Sequence, residues 1–247
     1  MTTTLEGEDR VTSAREQASD IYHGSDDAED VLRWAIERFH PRLALSTSFK
    51  DGVIIDLMTR ICPDVRVVAL DTGRLNEETY ACADEISRRY GVTIEWYFPE
   101  RDAVEAMVRA KGMHAFRKTV SNRHECCHIR KVEPLNRALS GLEAWITGVR
   151  RDQSTTRTAV RKVERDDAHG GIVKINPLAD WDHDRVWGYI RDHKVPYNRL
   201  YDEGYTSIGC APCTRPVRAG EDPRAGRWWW EQDEHKECGI HIPNWSI

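Results

Sequence analysis

The fold is decided by one stretch, RLALSTSFKDGVIIDLMTRI at residues 42–61. Its first part, at 42–48, is a short apolar run that predicts a strand, and 51–61 has the apolar spacing of a helix. The turn between them holds serines, a lysine and a glycine, although it lacks the Walker A pattern. Backbone N–H groups at a helix start bind anions, and such side chains strengthen the site. The stretch predicts a phosphate-binding strand–turn–helix unit, with an ordinary capped turn as the alternative.

The remainder of the chain repeats this alternation of strand and helix. Further strands are predicted at 66–70, 92–98, 144–149 and 171–178, and further helices at about 27–40, 76–91, 102–112 and 183–195. This spacing is typical of an α/β protein with a parallel sheet covered by helices.

Polar residues follow three of the predicted strands. They lie in the 46–52 turn, in LDTGR at 70–74 and in TGVRRDQSTTR at 147–157, which contains Arg150, Arg151 and Arg157. The carboxyl ends of parallel strands meet at one sheet edge, where ligands bind, and the arginine fork suits phosphate or sulfate. These motifs predict a nucleotide site at that edge, although arginine runs are more often solvated surface.

Four of the seven cysteines form two pairs. Cys126 and Cys127 are adjacent in RHECCHIRK, and Cys210 and Cys213 lie in GCAPC. Because neighbouring side chains diverge, two adjacent thiolates bind different corners of a cluster more easily than they converge on a single metal ion. This favours a [4Fe-4S] cluster over zinc. Taken singly, the second pair is also typical of zinc or a redox dithiol, and the first of buried small residues. Cys62 and Cys82 are predicted to be core residues because they lie at apolar helical positions.

Composition narrows the function classes. The 36 basic and 41 acidic residues give a net charge of -5, which disfavours a broad nucleic-acid-binding surface. No apolar run is long enough to span a membrane, and the N-terminus lacks the pattern of a signal peptide, so we expect a cytoplasmic protein. In a reducing compartment, cysteines more often bind metals or do redox chemistry than form disulfides.

Three segments are predicted from the changes in composition. Residues 1–27 are polar and acidic and are interpreted as a mobile tail, and 28–214 form the α/β nucleotide-binding and cysteine-pair domain. Residues 215–247 are interpreted as a C-terminal lid, since from about Tyr205 the chain is rich in glycine, proline and arginine. Trp228 to Trp230 are expected to pack this lid against the body.

Seven motifs occur together in one order, from STSFKDG and LDTGR through ECCHIRK, RRDQSTTR, GCAPCTRP and GRWWWE to KECGIH, between about residues 40 and 243. In this combination the sequence closely resembles the assimilatory adenosine 5′-phosphosulfate (APS) reductases of the sulfonucleotide reductase family. The resemblance implies an adenine nucleotide α-hydrolase-like fold with a modified phosphate loop and a mobile C-terminal tail. It implies thioredoxin-dependent reduction of APS to sulfite and AMP, in sulfate assimilation and cysteine biosynthesis.

The resemblance also implies roles for individual residues. A [4Fe-4S] cluster is implied at Cys126, Cys127, Cys210 and Cys213. The catalytic residues implied are Cys238, Lys131 and His241. Substrate contacts are expected at Ser46, Ser48, Lys50, Gly52, Leu70, Asp71, Thr72, Gly73, Arg74, Gly148, Arg150, Arg157, Arg224 and Arg227. The family more often carries an acidic residue at the position of Lys50.

The implied mechanism is attack of the Cys238 thiolate on the sulfate sulfur, which releases AMP and leaves a Cys–S–SO3⁻ adduct. Thioredoxin then releases sulfite and supplies both electrons, so the cluster is expected to order the cysteine segments and add positive field. Family members without the cysteine pairs generally use the 3′-phosphorylated substrate PAPS; the pairs here point to APS, although some cluster-bearing members accept both.

Two other functions remain as alternatives. An ATP-dependent thiolation or adenylating enzyme of the same fold would typically carry an SGGxDS loop, which is missing. A zinc-stabilised binding module would leave Cys238 and the polar strand ends without a role.

Overall fold

The computed structural model describes residues 22, 25 and 27–231. Most of the predicted N-terminal tail lies outside the described residues, as do Cys238 and His241 in the C-terminal stretch. The described strands are β1 (Leu43–Thr47), β2 (Arg66–Leu70), β3 (Ile94–Tyr97), β4 (Ala144–Ile146), β5 (Val163–Asp166) and β6 (Ile172–Ile175). The α-helices are α1 (Ala28–Phe39), α2 (Val53–Ile61), α3 (Glu77–Tyr90), α4 (Arg101–Lys111), α5 (Val120–Cys127), α6 (Glu133–Leu139) and α7 (His183–His193).

The strands form one sheet in the order β3-β2-β1-β4-β6-β5. β1 lies between β2 and β4, pairing Ala44 with Arg66 and Leu43 with Ala144, and every pair is parallel except β5 with β6. The predicted parallel α/β architecture is therefore confirmed, and the three polar strand ends lie beside one another. β5 was not predicted, because this edge strand, VERD, has only one buried residue and no apolar run.

Local sequence accounts for the predicted helices. The Asp27 side chain accepts a hydrogen bond from the Glu29 N–H and so caps α1, whose apolar face is buried. α3 ends at Gly91, whose φ of 67° is readily adopted only by glycine. Cys82 on α3 is buried as predicted, but Cys62 is only partly buried, because it lies just beyond the last turn of α2.

A helical segment that was not predicted runs from residue 120 to 139. α5 and α6 are joined by a π-helical turn over His128–Val132. The sequence of α5, VSNRHECC, has too few apolar residues to show a helical period, and Thr119 caps it by accepting from the Asn122 N–H. Such wide turns often occur at functional sites, and this one directly follows Cys127 and contains Lys131.

No helix among the described residues has both the length and the apolar character that crossing a membrane requires.

Candidate active site

A pocket of about 190 Å³ lies at the carboxyl edge of the sheet. One wall consists of the polar ends of β1, β2 and β4. A second wall comes from a substructure here called the cysteine lobe, which is defined as residues 115–131 and 205–231. The pocket-lining residues that the sequence predicted are Ser46, Ser48, Lys50, Leu70, Thr72, Lys131, Gly148, Arg150, Arg157, Cys210, Arg224 and Arg227.

The turn after β1 is fixed by the segment after α7. The Gly52 N–H donates to the Pro196 carbonyl at 3.0 Å, and the Asn198 N–H donates to the Lys50 carbonyl at 2.9 Å. Phe49 adopts a left-handed φ of 48°, and its buried ring packs on Trp96. These contacts hold the turn in one conformation with the Lys50 side chain in the pocket.

Lys50 lies in an unusually cationic environment. Although the pocket leaves part of its side chain accessible, burial lowers the pKa of Lys50 from 10.5 to about 7. Repulsion contributes further, from Arg157, Arg227, Arg224 and Arg150. Burial also raises the pKa of the neighbouring Asp51 carboxyl. The protein surroundings therefore disfavour both of these charges, whereas a bound anion would stabilise the lysine cation.

Four predicted substrate residues do not line the pocket. Gly52 is buried beneath the turn, where an added Cβ would lie 3.2 Å from Val195. Asp71 accepts hydrogen bonds from the Tyr80 hydroxyl and from the N–H of Gly73, a residue with a φ of 65°. Gly52, Asp71 and Gly73 therefore shape the strand ends.

Arg74, the fourth of these residues, reaches away from the pocket. Its guanidinium donates to the Met113 carbonyl at 2.7 Å and lies 4.8 Å from the centre of the Phe116 ring. Arg74 thus ties the end of β2 to the cysteine lobe.

The three arginines that follow β4 do not all lie in the pocket. Arg150 pairs with Asp152 at 3.0 Å, and the Arg157 guanidinium donates to Gln153 at 2.5 Å. Both line the pocket. Arg151 is exposed and donates to the Val160 carbonyl, so it contributes to the surface.

The cysteine lobe has its own small apolar cluster, which consists of Met107, Phe116, Cys126, Cys210, Cys213 and Trp228. Trp228 is 1% exposed, Trp230 packs on Phe116, and Trp229 is exposed. Trp228 and Trp230 therefore pack inward as expected, whereas Trp229 does not. Trp228 is the most deeply buried of the three. It is buried because the chain from Thr214 to Arg227 folds back on itself.

The four paired cysteines are all buried, and within residues 27–231 none of them forms a disulfide. Burial raises the pKa of the Cys126 thiol and raises that of Cys213 to about 12, because an apolar surrounding disfavours the thiolate. Within residues 27–231, no group of three or more His, Cys, Asp or Glu side chains is placed to hold one metal ion. Four soft donors in one buried region nevertheless have the chemistry that an iron–sulfur cluster requires.

Two buried arginines of the cysteine lobe were not predicted from the sequence. Arg130 lies beside Cys126 and donates to the Thr72 carbonyl at 2.6 Å. Arg123 pairs with Glu231 at 2.6 Å and lies 4.5 Å from the Trp228 ring centre. In RHECCHIRK, Arg123 precedes the adjacent cysteines and Arg130 follows them. This proximity in sequence is the signal from which both could have been predicted. Positive charge next to sulfur favours thiolates.

Arg227 has the most specific placement. It is 5% exposed, and its guanidinium stacks on Trp228 at 4.5 Å. Gly209 also lies against the Arg227 side chain, since an added Cβ at Gly209 would be 2.3 Å from an Arg227 nitrogen. Among the described residues its Nε has no hydrogen-bond partner. A buried guanidinium that lines a pocket and has an unsatisfied N–H group is suited to bind an anionic ligand.

The fold and the pocket at the strand ends define an α/β nucleotide-binding protein. The phosphoadenosine phosphosulfate reductase domain matches residues 40–216. Adenosine 5′-phosphosulfate reductase of Burkholderia cepacia is 53% identical over 215 residues, 86% of each chain. That of Allochromatium vinosum is 50% identical over 198 residues, 80% of this chain and 77% of that protein. The chain therefore belongs to the sulfonucleotide reductase family, among its APS reductases, and the resemblance is confirmed.

Solved structures support the same fold. The phosphoadenylyl-sulfate (PAPS) reductase from Candida auris, in its phosphate complex, is 30% identical with a TM-score of 0.65, covering 85% of this chain and 97% of that one. FMN adenylyltransferase from Candida glabrata is 16% identical with a TM-score of 0.54, covering 96% and 86%, and shares the fold alone.

Proposed function

We propose that this protein reduces APS to sulfite and AMP, a step of sulfate assimilation. The observation that carries the proposal is buried Arg227, whose Nε has no partner among the described residues, lining a pocket next to the paired cysteines. Its curated relatives are named for the same substrate. The other pocket cations add to a field that suits a phosphosulfate.

The strand ends would hold the nucleotide. Apolar side chains of Leu45, Ile54 and Leu178 line the pocket near the sheet and suit an adenine base. Lys131 and Arg227 line it on the side of the cysteine lobe, where the sulfate would lie. The substrate is then oriented with its reacting sulfur toward the lobe.

The nucleophile proposed is Cys238. It follows Glu231 by seven residues, and Glu231 is fixed beside the lobe through its ion pair with Arg123. At about 3.3 Å per extended residue, a chain of seven residues reaches at most roughly 23 Å from that anchor. In the lid role proposed for segment 215–247, the part that follows Glu231 would bring a thiolate to the pocket and withdraw it for a reductant.

The proposed reaction has two stages, transfer of the sulfonate group to Cys238 and release of sulfite by a reductant. The Cys238 thiolate forms a bond to the sulfate sulfur, and the bond from that sulfur to the phosphate oxygen breaks, so AMP leaves with the electron pair. A dithiol of the thioredoxin class then attacks the Cys238 sulfur, so that sulfite leaves with the electron pair of the broken S–S bond and a mixed disulfide forms. The second thiol of the reductant displaces Cys238 as its thiolate and closes the reductant's disulfide. Lys131 and Arg227 stabilise the developing negative charge, and His241 is proposed to assist near Cys238.

Cys126, Cys127, Cys210 and Cys213 are proposed to hold a [4Fe-4S] cluster. When bound, the group would supply a cross-link between residues 126–127 and 210–213. No electrons are routed through it, since the dithiol supplies both.

The test is native mass spectrometry of anaerobically purified protein mixed with APS and no reductant. The expected result is an iron–sulfur mass together with a sulfonate adduct located at Cys238. Cys238→Ser should keep the iron and lose the adduct, and the matched control Cys62→Ser, away from the pocket, should keep both. Normal sulfite release by Cys238→Ser contradicts the mechanism, and zinc without an adduct would favour the binding module.

A further inference from the structure

Trp145 connects the nucleotide pocket to a part of the molecule that lies outside it. It stands on β4, two residues before Thr147, and both residues line the pocket. Trp145 is 2% exposed. Its indole N–H donates to Oδ2 of Asp166, the last residue of the edge strand β5, at 3.0 Å. One buried aromatic side chain therefore joins the pocket to the edge of the sheet.

The same carboxylate oxygen also holds a histidine. His169 Nδ1 lies 2.8 Å from Asp166 Oδ2, and the ring centres of His169 and Trp145 are 5.5 Å apart with the rings edge to face. The side chains of His169 and Asp166 are 4% and 9% exposed. Because a buried polar group is costly without its partners, these three side chains hold one another in a single arrangement.

Charge makes this arrangement stronger than a neutral network. Although burial acts in the opposite direction, His169 and Lys174 lower the pKa of Asp166, so the carboxylate is ionised at neutral pH and the Nδ1 of His169 carries the donated hydrogen. Hydrogen bonds to an ionised acceptor are stronger than neutral ones. Lys174 of β6 also faces the indole, 5.8 Å from its ring centre, and is paired with Glu164.

Asp166 and His169 act from the opposite end of the sheet. His169 lines a separate cavity of about 510 Å³, together with Arg42, Glu143 and Ile172. These residues lie at the amino ends of β1, β4 and β6, whereas the nucleotide pocket lies at the carboxyl ends. The pair formed by Asp166 and His169 would therefore affect a bound nucleotide through Trp145 rather than by contact.

We propose that Asp166 and His169 are positioning residues for nucleotide binding, which fix the Trp145 indole in the orientation that the pocket requires. The proposal rests on the proposed function only in taking the pocket as a nucleotide site. A ligand that meets a preordered indole loses no affinity to it, whereas a loose indole must be ordered when the nucleotide binds. The two residues should therefore influence affinity as well as stability.

The test is calorimetry of AMP binding to the complete protein, without reductant, together with urea denaturation of each variant. Asp166→Asn removes the charge that holds both rings, and Trp145→Phe keeps a ring but removes the indole N–H. His169→Leu removes the Nδ1 donor, whereas His169→Asn keeps an N–H donor at about the same position. The matched control is Asp56→Asn, because Asp56 is 5% exposed, accepts from the Tyr189 hydroxyl at 2.6 Å and lies outside the pocket.

Asp166→Asn, His169→Leu and Trp145→Phe should each weaken AMP binding about fivefold to tenfold, since each removes a hydrogen bond to the charged carboxylate or the charge itself. His169→Asn should remain within about twofold of wild type. Adding Asp166→Asn to Trp145→Phe should bring no further loss, because the N–H that Asp166 holds is already gone. Asp56→Asn should lower the free energy of unfolding and leave AMP affinity unchanged.

A spectroscopic signature separates positioning from a purely structural role. In protein labelled with 5-fluorotryptophan, the fluorine resonance that disappears in Trp145→Phe identifies Trp145 among the nine tryptophans. In the wild-type protein this resonance should be sharp without ligand and should shift when AMP binds. In Asp166→Asn it should be broad without ligand and sharpen when AMP binds.

The proposal is overturned if Asp166→Asn lowers stability but leaves AMP affinity and the Trp145 resonance unchanged, or if its loss of affinity adds to that of Trp145→Phe. These measurements involve no turnover. A protein that reduces APS without this dependence on Asp166 loses only the positioning role, and one that shows the dependence without forming sulfite loses only the proposed activity. A wild-type protein that binds no AMP would overturn both.

Discussion

The two walls of the pocket face the same ligand space but are stabilised differently. The sheet edge rests on the main apolar core, in which Leu43, Leu45 and Val67 are fully or almost fully buried. The cysteine lobe rests on a cluster of six buried residues, three of which are cysteines. A small cluster contributes little burial energy, so the lobe must depend on other interactions.

Those other interactions are charges placed on aromatic rings. Arg123 and Arg227 both lie 4.5 Å from the Trp228 ring centre, and Arg117 lies 5.4 Å from that of Trp230. The sheet edge is therefore preformed by the apolar core. The stability of the lobe, in contrast, depends on polar contacts and is coupled to the ligands that its cysteine and arginine side chains bind. Three predictions sharpen this contrast.

The largest effect is expected from breaking the buried ion pair of the lobe. Arg123 and Glu231 side chains are 3% and 5% exposed. Arg123→Met leaves the Glu231 carboxylate buried without its guanidinium, which should cost about 3–5 kcal/mol. Hydrogen exchange should therefore accelerate in residues 120–131 and 208–231, while amides of β1 and β2 keep their protection.

The control for this prediction is the double variant Arg123→Met/Glu231→Gln, which removes both charges. It should recover much of the loss, because no uncompensated ion remains buried. Uniform acceleration across β1 and β2 would show that the lobe and the sheet unfold as one unit, against the contrast drawn here.

The next effect concerns Gly209 and Arg227. An added Cβ at Gly209 would lie 2.5 Å from the Arg227 guanidinium carbon, which is also packed 4.5 Å from the Trp228 ring centre. Gly209→Ala should displace this cation and lower kcat/KM for APS about 10–100-fold, or roughly 1.4–2.7 kcal/mol of transition-state stabilisation. Steady-state kinetics with APS measures this loss.

Two further variants decide whether Gly209 acts through Arg227. Adding Gly209→Ala to Arg227→Met should produce no further loss, since the displaced group is already gone. Gly188→Ala in α7, where an added Cβ meets nothing within 4 Å, should leave kcat/KM within about twofold of wild type. Additive losses in the double variant would contradict the positioning role of Gly209.

The sequence predicted the sheet wall far better than the lobe, for a physical reason. Strands such as RVVAL are predicted by local apolar runs, and the turn at 46–52 is predicted by its turn residues. The lobe brings residues 115–131 against 205–231, and its helix α5 buries Arg123 and two cysteines rather than an apolar stripe. Long-range packing of polar side chains leaves no period in the sequence. The cysteine motifs identified the lobe's chemistry, but Trp228 and Arg130 needed the structure.

The smallest effect is expected from an ion pair of equal length on the sheet. Arg66 on β2 pairs with Glu95 on β3 at 2.6 Å, the same distance as in the lobe, but these side chains are 36% and 38% exposed. Arg66→Gln should change the free energy of unfolding by less than about 1 kcal/mol, and the difference should shrink at high salt. Urea denaturation of the two single variants, Arg66→Gln and Arg123→Met, compares them directly. If Arg66→Gln lowered the free energy of unfolding as much as Arg123→Met, the geometry of the ion pair, rather than its burial, would determine its contribution to stability. The expected smaller change for Arg66→Gln would instead show that burial of the Arg123–Glu231 pair in the lobe determines it.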